Sequence, residues 1–127
     1  MAPGSLKSAA TAVSIARAAF GVAMVAAPQR IAQAWIGDDG LSVRVGVLAR
    51  SIGARDIALG GGATLALLRG NRDAARAWLV GQCLSDLVDL AGTLAVRDRL
   101  PARGVAQTAA LAGASAAIAA AAAVALD

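Results

Sequence analysis

Charged residues inside long apolar segments constrain this chain more than any other feature. Three arginines and three aspartates lie in segments that are otherwise suited to cross a bilayer. A charge at the bilayer centre costs at least about 2.5 kcal/mol on insertion scales. We therefore expect these six charges, whose formal sum is zero, to pair with one another or to line a wet cavity. They are Arg17, Arg50, Arg55, Asp56, Asp86 and Asp89.

The composition favours a membrane protein over a soluble domain. Of the 127 residues, 58% are hydrophobic but only 2% are aromatic, and the mean hydropathy is +0.67. Small residues replace the large ones of a soluble core, and they suit close helix packing in lipid. The net charge is +4, but the basic residues do not cluster on one face, so we expect no nucleic-acid partner. With one cysteine and no histidine, the usual zinc and haem sites are excluded, and we predict neither a metal nor another cofactor.

Four apolar segments predict an all-α, four-helix transmembrane bundle that forms one domain (1–127) in the cell membrane. Pro28 ends the first span, because a proline cannot continue a helix without losing a hydrogen bond. The next segment, PQRIAQAWIG, contains Trp35 and predicts a short interfacial helix. Asn71 and Asp73 favour a helix start at the third span. The predicted spans are about 8–27, 42–68, 73–96 and 103–126.

Two other interpretations fit parts of the chain. The first segment has features of a signal peptide, but Arg17 in its middle and Pro28 after the only small-residue site argue against cleavage. A soluble bundle is favoured by the charges of the second segment. It is opposed by the fourth, which has no charge between Arg103 and Asp127 and therefore no polar face. The basic residues are divided almost evenly between the two sides, so they set no orientation.

The third segment carries the most coherent candidate site. Gln82, Asp86, Asp89 and Thr93 follow helical spacing and form one polar stripe. Two neighbouring carboxylates repel each other in a low-dielectric site, which leaves three arrangements open. They pair with arginines, they share a proton so that one acts as an acid or base, or they hold a divalent cation. Asp56 is a third acid/base candidate.

The arginines are the predicted partners of these acids. Arg50 lies on a glycine seam with Gly53 and Gly60, where a neighbouring helix can approach closely. Arg55 falls on the opposite face, which predicts either a central position for this helix or a contact with a second copy, as in a homodimer. The charges then separate into two sets. We expect Arg17 to face inward, with snorkelling to the surface as the alternative.

One pattern of residues resembles a known family. It is the run Arg50-x-x-Gly53-Ala54-Arg55-Asp56-x-x-Leu59-Gly60, followed one helix later by Asp86-x-x-Asp89. This pattern is similar to that of small bacterial four-helix integral membrane proteins catalogued as a domain of unknown function. The resemblance covers about residues 8–125. It implies a four-helix membrane fold and brings no established activity.

Three functions are compatible with these patterns. The first is a small membrane protein in which the Arg/Asp network is structural and pairs helices or protomers. The second is a site in the lipid bilayer that binds or transforms a lipophilic small molecule by aspartate acid/base chemistry. The third is a subunit of a proton-coupled transporter. A fully paired cluster favours the first, and a ligand beside the aspartates favours the second. The predicted ligand-binding residues are Arg17, Arg50, Arg55, Gln82 and Thr93, with Arg50 and Arg55 on an anionic or carbonyl oxygen.

Overall fold

The chain is all-α, and its long helices match the four predicted segments closely. A computed structural model describes residues 3–126. The first helix begins earlier than predicted, at Pro3, because proline suits the first turn of a helix. The short helix predicted after it is also confirmed. The helices are α1 (Pro3–Ala26), α2 (Pro28–Ile36), α3 (Val43–Leu68), α4 (Arg72–Ala95) and α5 (Ala102–Ala125).

Local sequence signals explain where these helices begin and end. Pro28 lies in the first turn of α2, where its missing N–H is tolerated. Gly37 takes a positive φ of 86° after α2, and the 3-10 turn Asp38–Leu41 leads into α3. Asn71 accepts a hydrogen bond from the backbone N–H of Ala74 at 3.1 Å, so the predicted N-cap of α4 is confirmed.

The four long helices form an antiparallel bundle. Around the bundle, α1 packs against α3, α3 against α4, α4 against α5, and α5 against α1. Consequently α1 and α4 lie diagonally across the centre and run in the same direction. The short helix α2 covers one end, against α1, α3 and α5. Side chains from α1 and α4 can therefore meet on the bundle axis.

The contact between α1 and α3 brings one backbone against the other. A Cβ atom on Gly53 would lie 2.7 Å from the carbonyl oxygen of Gly21, and one on Gly21 would lie 2.5 Å from that of Gly53. Farther along, Gly60 meets Ser14 and Ala18 of α1 with equally little space. The glycine seam is thus a helix-packing face, as predicted, and its partner is α1.

Small side chains fill the centre, and large apolar side chains lie on the outside. Most of the buried hydrophobic residues are alanines, and the largest fully buried side chains of residues 3–126 are Met24, Leu79, Gln82 and Ser14, of which two are polar. In a soluble domain the large aliphatic side chains are mostly inside. Here many are more than half exposed, among them Val22, Leu48, Leu84, Val88, Leu111 and Val124.

Candidate functional site

The charged side chains meet about halfway along the bundle, where Arg17 reaches across the centre from α1. Its Nη1 donates to Oδ1 of Asp56 at 2.9 Å, and its Nη2 donates to Oδ1 of Asp86. The Arg17 side chain is 8% exposed and each of the two aspartates 6%. Nη2 also lies 3.4 Å from the hydroxyl of Ser115 on α5. The predicted inward direction of Arg17 is confirmed and snorkelling is wrong, because carboxylates of α3 and α4 bind the guanidinium inside.

Arg55 extends this group of charges along the contact between α3 and α4. Its Nη2 lies 3.1 Å from Oδ1 of Asp56 and 2.9 Å from Oδ2 of Asp89, and its Nη1 donates to Oδ1 of Asp89 at 3.2 Å. The prediction that Arg55 belongs to a separate set is wrong. The reason is that α3 has a neighbour on two faces: α1 packs on its glycine seam, and α4 packs on another face and brings Asp89 to Arg55. The homodimer stays a prediction, without Arg55 to support it.

Arg50 is the one charge of the six that does not join the others. Its side chain is exposed, and its Nε donates to the carbonyl of Val25 at 3.4 Å, near the end of α1. The glycine contact at Gly53 and Gly21 is too close to admit an arginine side chain. Arg50 therefore passes around the edge, where it stabilises a free carbonyl at a helix end. Its predicted place among the aspartates is wrong, and its predicted role in ligand binding stays a prediction.

The two ends of the predicted stripe on α4 hold other elements in place. Gln82 Nε2 donates to the hydroxyl of Ser14 on α1 at 3.0 Å. At the other end, the indole N–H of Trp35 on α2 donates to Thr93 Oγ1 at 3.0 Å. Gln82, Thr93 and Asp86 are buried, and Asp89 is half-buried, so the stripe is confirmed as the inner face of α4. Gln82 and Thr93 bind other helices, so their predicted role in ligand binding stays untested.

We call Arg17, Arg55, Asp56, Asp86 and Asp89 the polar cluster. Two guanidiniums stand against three carboxylates, a formal sum of −1. Asp86 and Asp89 bind different arginines, so of the three predicted arrangements the structure has the pairing with arginines.

The pairing is incomplete. Within residues 3–126, four buried polar atoms lack a hydrogen-bond partner: Arg17 Nε, Gln82 Oε1, Ser85 Oγ and Asp86 Oδ2. Each such atom costs about 1–3 kcal/mol when nothing satisfies it.

A cavity of about 520 Å³ lies between α1, α2 and α5 and reaches the polar cluster. A volume of this size suits a small-molecule ligand. Four members of the cluster form its charged floor: Arg17, Asp56, Asp86 and Asp89. Its walls are mainly apolar and include Phe20, Ile31, Trp35, Leu111 and Ile118. The three aspartates predicted as acid/base candidates therefore all face one cavity, and their chemistry stays a prediction.

The contribution of α5 to the cavity was not predicted, because its segment is almost entirely apolar. Gln107, Thr108 and Ser115 line the cavity from this helix. A signal was present, because Thr108 and Ser115 are seven residues apart and so lie two turns apart on one face. Ser14, the buried partner of Gln82, was not predicted as a site residue either.

No family model, curated protein or solved structure matches this chain. The resemblance to four-helix membrane proteins of unknown function therefore stays a prediction. The function has to be inferred from the polar cluster and the cavity.

Proposed function

We propose that this chain is a multi-pass membrane protein whose central cavity binds a lipophilic small molecule. In this proposal α1, α3, α4 and α5 cross the bilayer, and the molecule binds between α1 and α5 above the polar cluster. The observation that carries the proposal is the cavity itself, which combines apolar walls with a floor of one arginine and three aspartates.

The exposure of α1 and α5 supports a position in the bilayer. Both are 24 residues long, and their most apolar windows have mean hydropathies of 1.7 and 1.8. Such helices also occur in the cores of soluble proteins, but there they are mostly buried. In this chain only 22% of the α1 window and 28% of the α5 window are buried. The apolar surface that remains needs an apolar environment.

By composition α3 and α4 are weaker candidates, because α1 and α5 alone meet the criterion for a span among the described residues. Their charges in the middle of the bundle point inward, however, except for Arg50 near one end. Their outer faces carry Val47, Leu65, Leu87 and other exposed aliphatic residues. With 26 and 24 residues they are about 36–39 Å long, which exceeds the roughly 30 Å of hydrocarbon in a bilayer.

Its position in the fold argues that α1 is a permanent part of the protein rather than a cleaved signal segment. It supplies Gly21 to the tightest helix contact and Ser14 to the buried bond with Gln82. It also supplies Arg17, without which Asp86 would lose its ion-pair partner. Removal of α1 would leave two buried carboxylates without this guanidinium, which is costly in a low-dielectric interior.

The polar cluster serves both parts of the proposal. It ties α1, α3 and α4 together at mid-depth, which is the structural role that the sequence predicts for an Arg/Asp network. It also places charged groups at the end of an otherwise apolar cavity, so that a bound molecule would be oriented as well as held. A few convergent polar groups in an apolar pocket are the usual composition of small-molecule sites.

Trp35 provides a way to test binding in the cavity. It lines the cavity, whereas Trp78, the other tryptophan, packs against Gly62 of α3. In a Trp78→Phe variant in neutral-lipid nanodiscs, we expect brominated alkyl compounds to quench Trp35 in a saturable manner. In a Trp35→Phe variant, Trp78 should show only the linear quenching that partition into lipid produces.

Matched substitutions make this test specific. Ala16 and Ala114 line the cavity from α1 and α5, whereas Ala19 and Ala117 are exposed on the same helices outside it. Leucines at the first pair should abolish saturable quenching of Trp35, and leucines at the second pair should leave it intact. Equal quenching in all of these variants would contradict a binding site in the cavity.

The bilayer part of the proposal has its own test. After expression in bacteria, the protein should remain in the membrane pellet when membranes are washed with alkaline carbonate. Release into the supernatant, or purification as a monodisperse protein without detergent, would contradict an integral membrane protein.

A further inference from the structure

We infer that the cavity selects an alcohol, an apolar molecule whose hydroxyl group binds between Arg17 and Asp86. This inference rests on the proposed function, because it names the head group of the molecule that the cavity would bind. It differs from the sequence-based expectation, in which arginines bind an anionic or carbonyl oxygen.

Two atoms of the ion pair between Arg17 and Asp86 lack a hydrogen-bond partner. Arg17 Nε is a donor without an acceptor, and Asp86 Oδ2 is an acceptor without a donor. Their side chains are 8% and 6% exposed, and both residues line the cavity. Arg17 Nη2 already donates to Asp86 Oδ1. Nε belongs to the same rigid guanidinium as Nη2, and Oδ2 to the same carboxylate as Oδ1, so the two unpaired atoms belong to one ion pair.

A hydroxyl group satisfies both atoms at once. It has one O–H donor for Asp86 Oδ2 and lone pairs that accept from Arg17 Nε. An ammonium group suits the cluster's formal sum of −1, but it can only donate and would leave Arg17 Nε buried and unpaired. A methyl ether can only accept, and it would leave Asp86 Oδ2 buried and unpaired.

An anionic head group fits this floor less well. A carboxylate can only accept, and the cluster it would approach already has a formal sum of −1. The Nη atoms of both guanidiniums are bound to Asp56, Asp86 and Asp89. An anion would have to compete with these carboxylates for donors, because only Arg17 Nε is free among the buried guanidinium atoms of residues 3–126.

The test compares brominated alkyl compounds that differ only in the head group. The alkyl chain of each compound has about ten carbons, a length suited to a cavity of this size. The head group is a hydroxyl, a methyl ether, a carboxylate or an ammonium, and the fifth compound has no head group. Affinity is read from saturable quenching of Trp35 in the Trp78→Phe variant, corrected for partition into empty nanodiscs. We expect the alcohol to bind about tenfold or more tightly than each of the others, as a hydrogen bond to a charged group predicts.

Two variants locate the preference within the cavity. Asp86→Asn keeps the shape of the side chain but removes the carboxylate, so the advantage of the alcohol should fall to about threefold or less. Asp73→Asn removes an exposed carboxylate of the same helix that does not line the cavity, and it should leave the advantage intact. If Asp86→Asn does not fold, the comparison of the five compounds on the Trp78→Phe variant tests the inference by itself.

The outcomes separate the two proposals. Saturable binding in which another head group matches or exceeds the alcohol overturns the inference and leaves the proposed function standing. No saturable quenching of Trp35 by any of the five compounds overturns the proposed function itself.

Discussion

The two flanks of α1 are built differently. On the flank against α3, Gly21, Gly53 and Gly60 let the two backbones touch. On the flank against α5, side chains such as Phe20 and Leu111 line a cavity of about 520 Å³. The contrast shows that a high content of small residues does not by itself close a helix contact, because α5 is also rich in alanine. Against α3 the close approach is made at glycines, whereas against α5 larger side chains line a cavity.

The largest effect should come from Arg17, which binds aspartates of α3 and α4 and also lines the cavity. Arg17→Ala removes the guanidinium that lies between Asp56 and Asp86 and leaves both carboxylates buried without it. We expect a decrease of about 3–5 kcal/mol in the free energy of unfolding, measured by reversible denaturation in detergent. Arg50→Ala, on the exposed edge of α3, should have a far smaller effect. Equal losses in the two variants would contradict the assignment of Arg17 to the centre.

The contact between α1 and α3 should tolerate little added volume. Gly53→Ala places a Cβ 2.7 Å from the carbonyl oxygen of Gly21, so α1 and α3 must move apart. A decrease of about 1–3 kcal/mol in unfolding free energy is expected from this overpacking. Gly61→Ala is the matched control on the same helix, because a Cβ at Gly61 meets nothing within 4 Å. It should be neutral or stabilising, because alanine has the higher helix propensity, and a loss similar to that of Gly53→Ala would contradict the assignment of the close contact to Gly53.

A smaller effect is expected where α2 closes one end of the cavity. Trp35→Phe keeps an aromatic ring but removes the N–H that Thr93 accepts at 3.0 Å. The loss should be about 0.5–1.5 kcal/mol, the usual net value of one hydrogen bond. Thr93→Val should cost more, because it also removes the bond that Thr93 Oγ1 donates to the carbonyl of Asp89 at 2.7 Å, and the double variant should cost less than the sum of the two. Full additivity in this double-mutant cycle would mean that the bond does not contribute.

The side of α1 that faces α5 should accept added volume with almost no change in the free energy of unfolding. Ala16→Leu places a larger side chain at the cavity wall, and we expect the unfolding free energy to change by about 0.5 kcal/mol or less. The contrast with Gly53→Ala is informative, because the larger substitution should have the smaller effect. A loss of more than about 1 kcal/mol would mean that the space between α1 and α5 is packed more tightly than the structure has it.

Much of the fold could be predicted because it depends on short-range signals. Proline and asparagine mark helix limits through their own backbone and side-chain bonds, as Pro28 and Asn71 do here. Helical periodicity also identified the inner faces correctly, including the stripe from Gln82 to Thr93 and the glycine seam of α3.

The assignment of the arginines failed for a physical reason. Angular position on a helix places the Cβ atom, but an arginine side chain extends several ångströms beyond it and follows its neighbours. The Cβ atom of Arg50 lies on the side of the glycine seam, but the rest of its side chain turns away, because Gly53 and Gly21 are too close together to admit it. Arg55 projects away from the seam and yet joins the cluster, because α4 brings Asp89 to that side. The cavity could not be predicted at all, since it depends on the separation of α1 and α5.

In the proposed bundle, α3 and α4 cross the bilayer together with α1 and α5, so that the polar cluster and the cavity lie at its middle. Four crossings place the turn after α3 and the turn after α4 on opposite sides of the membrane. If only α1 and α5 cross, both turns lie on the same side. Single cysteines at Arg69→Cys and Asp98→Cys, in a Cys83→Ala background, can be labelled in intact cells with a membrane-impermeant maleimide. We predict that one position is labelled in intact cells and the other only after permeabilisation, whereas identical accessibility at both positions would contradict the four-span bundle.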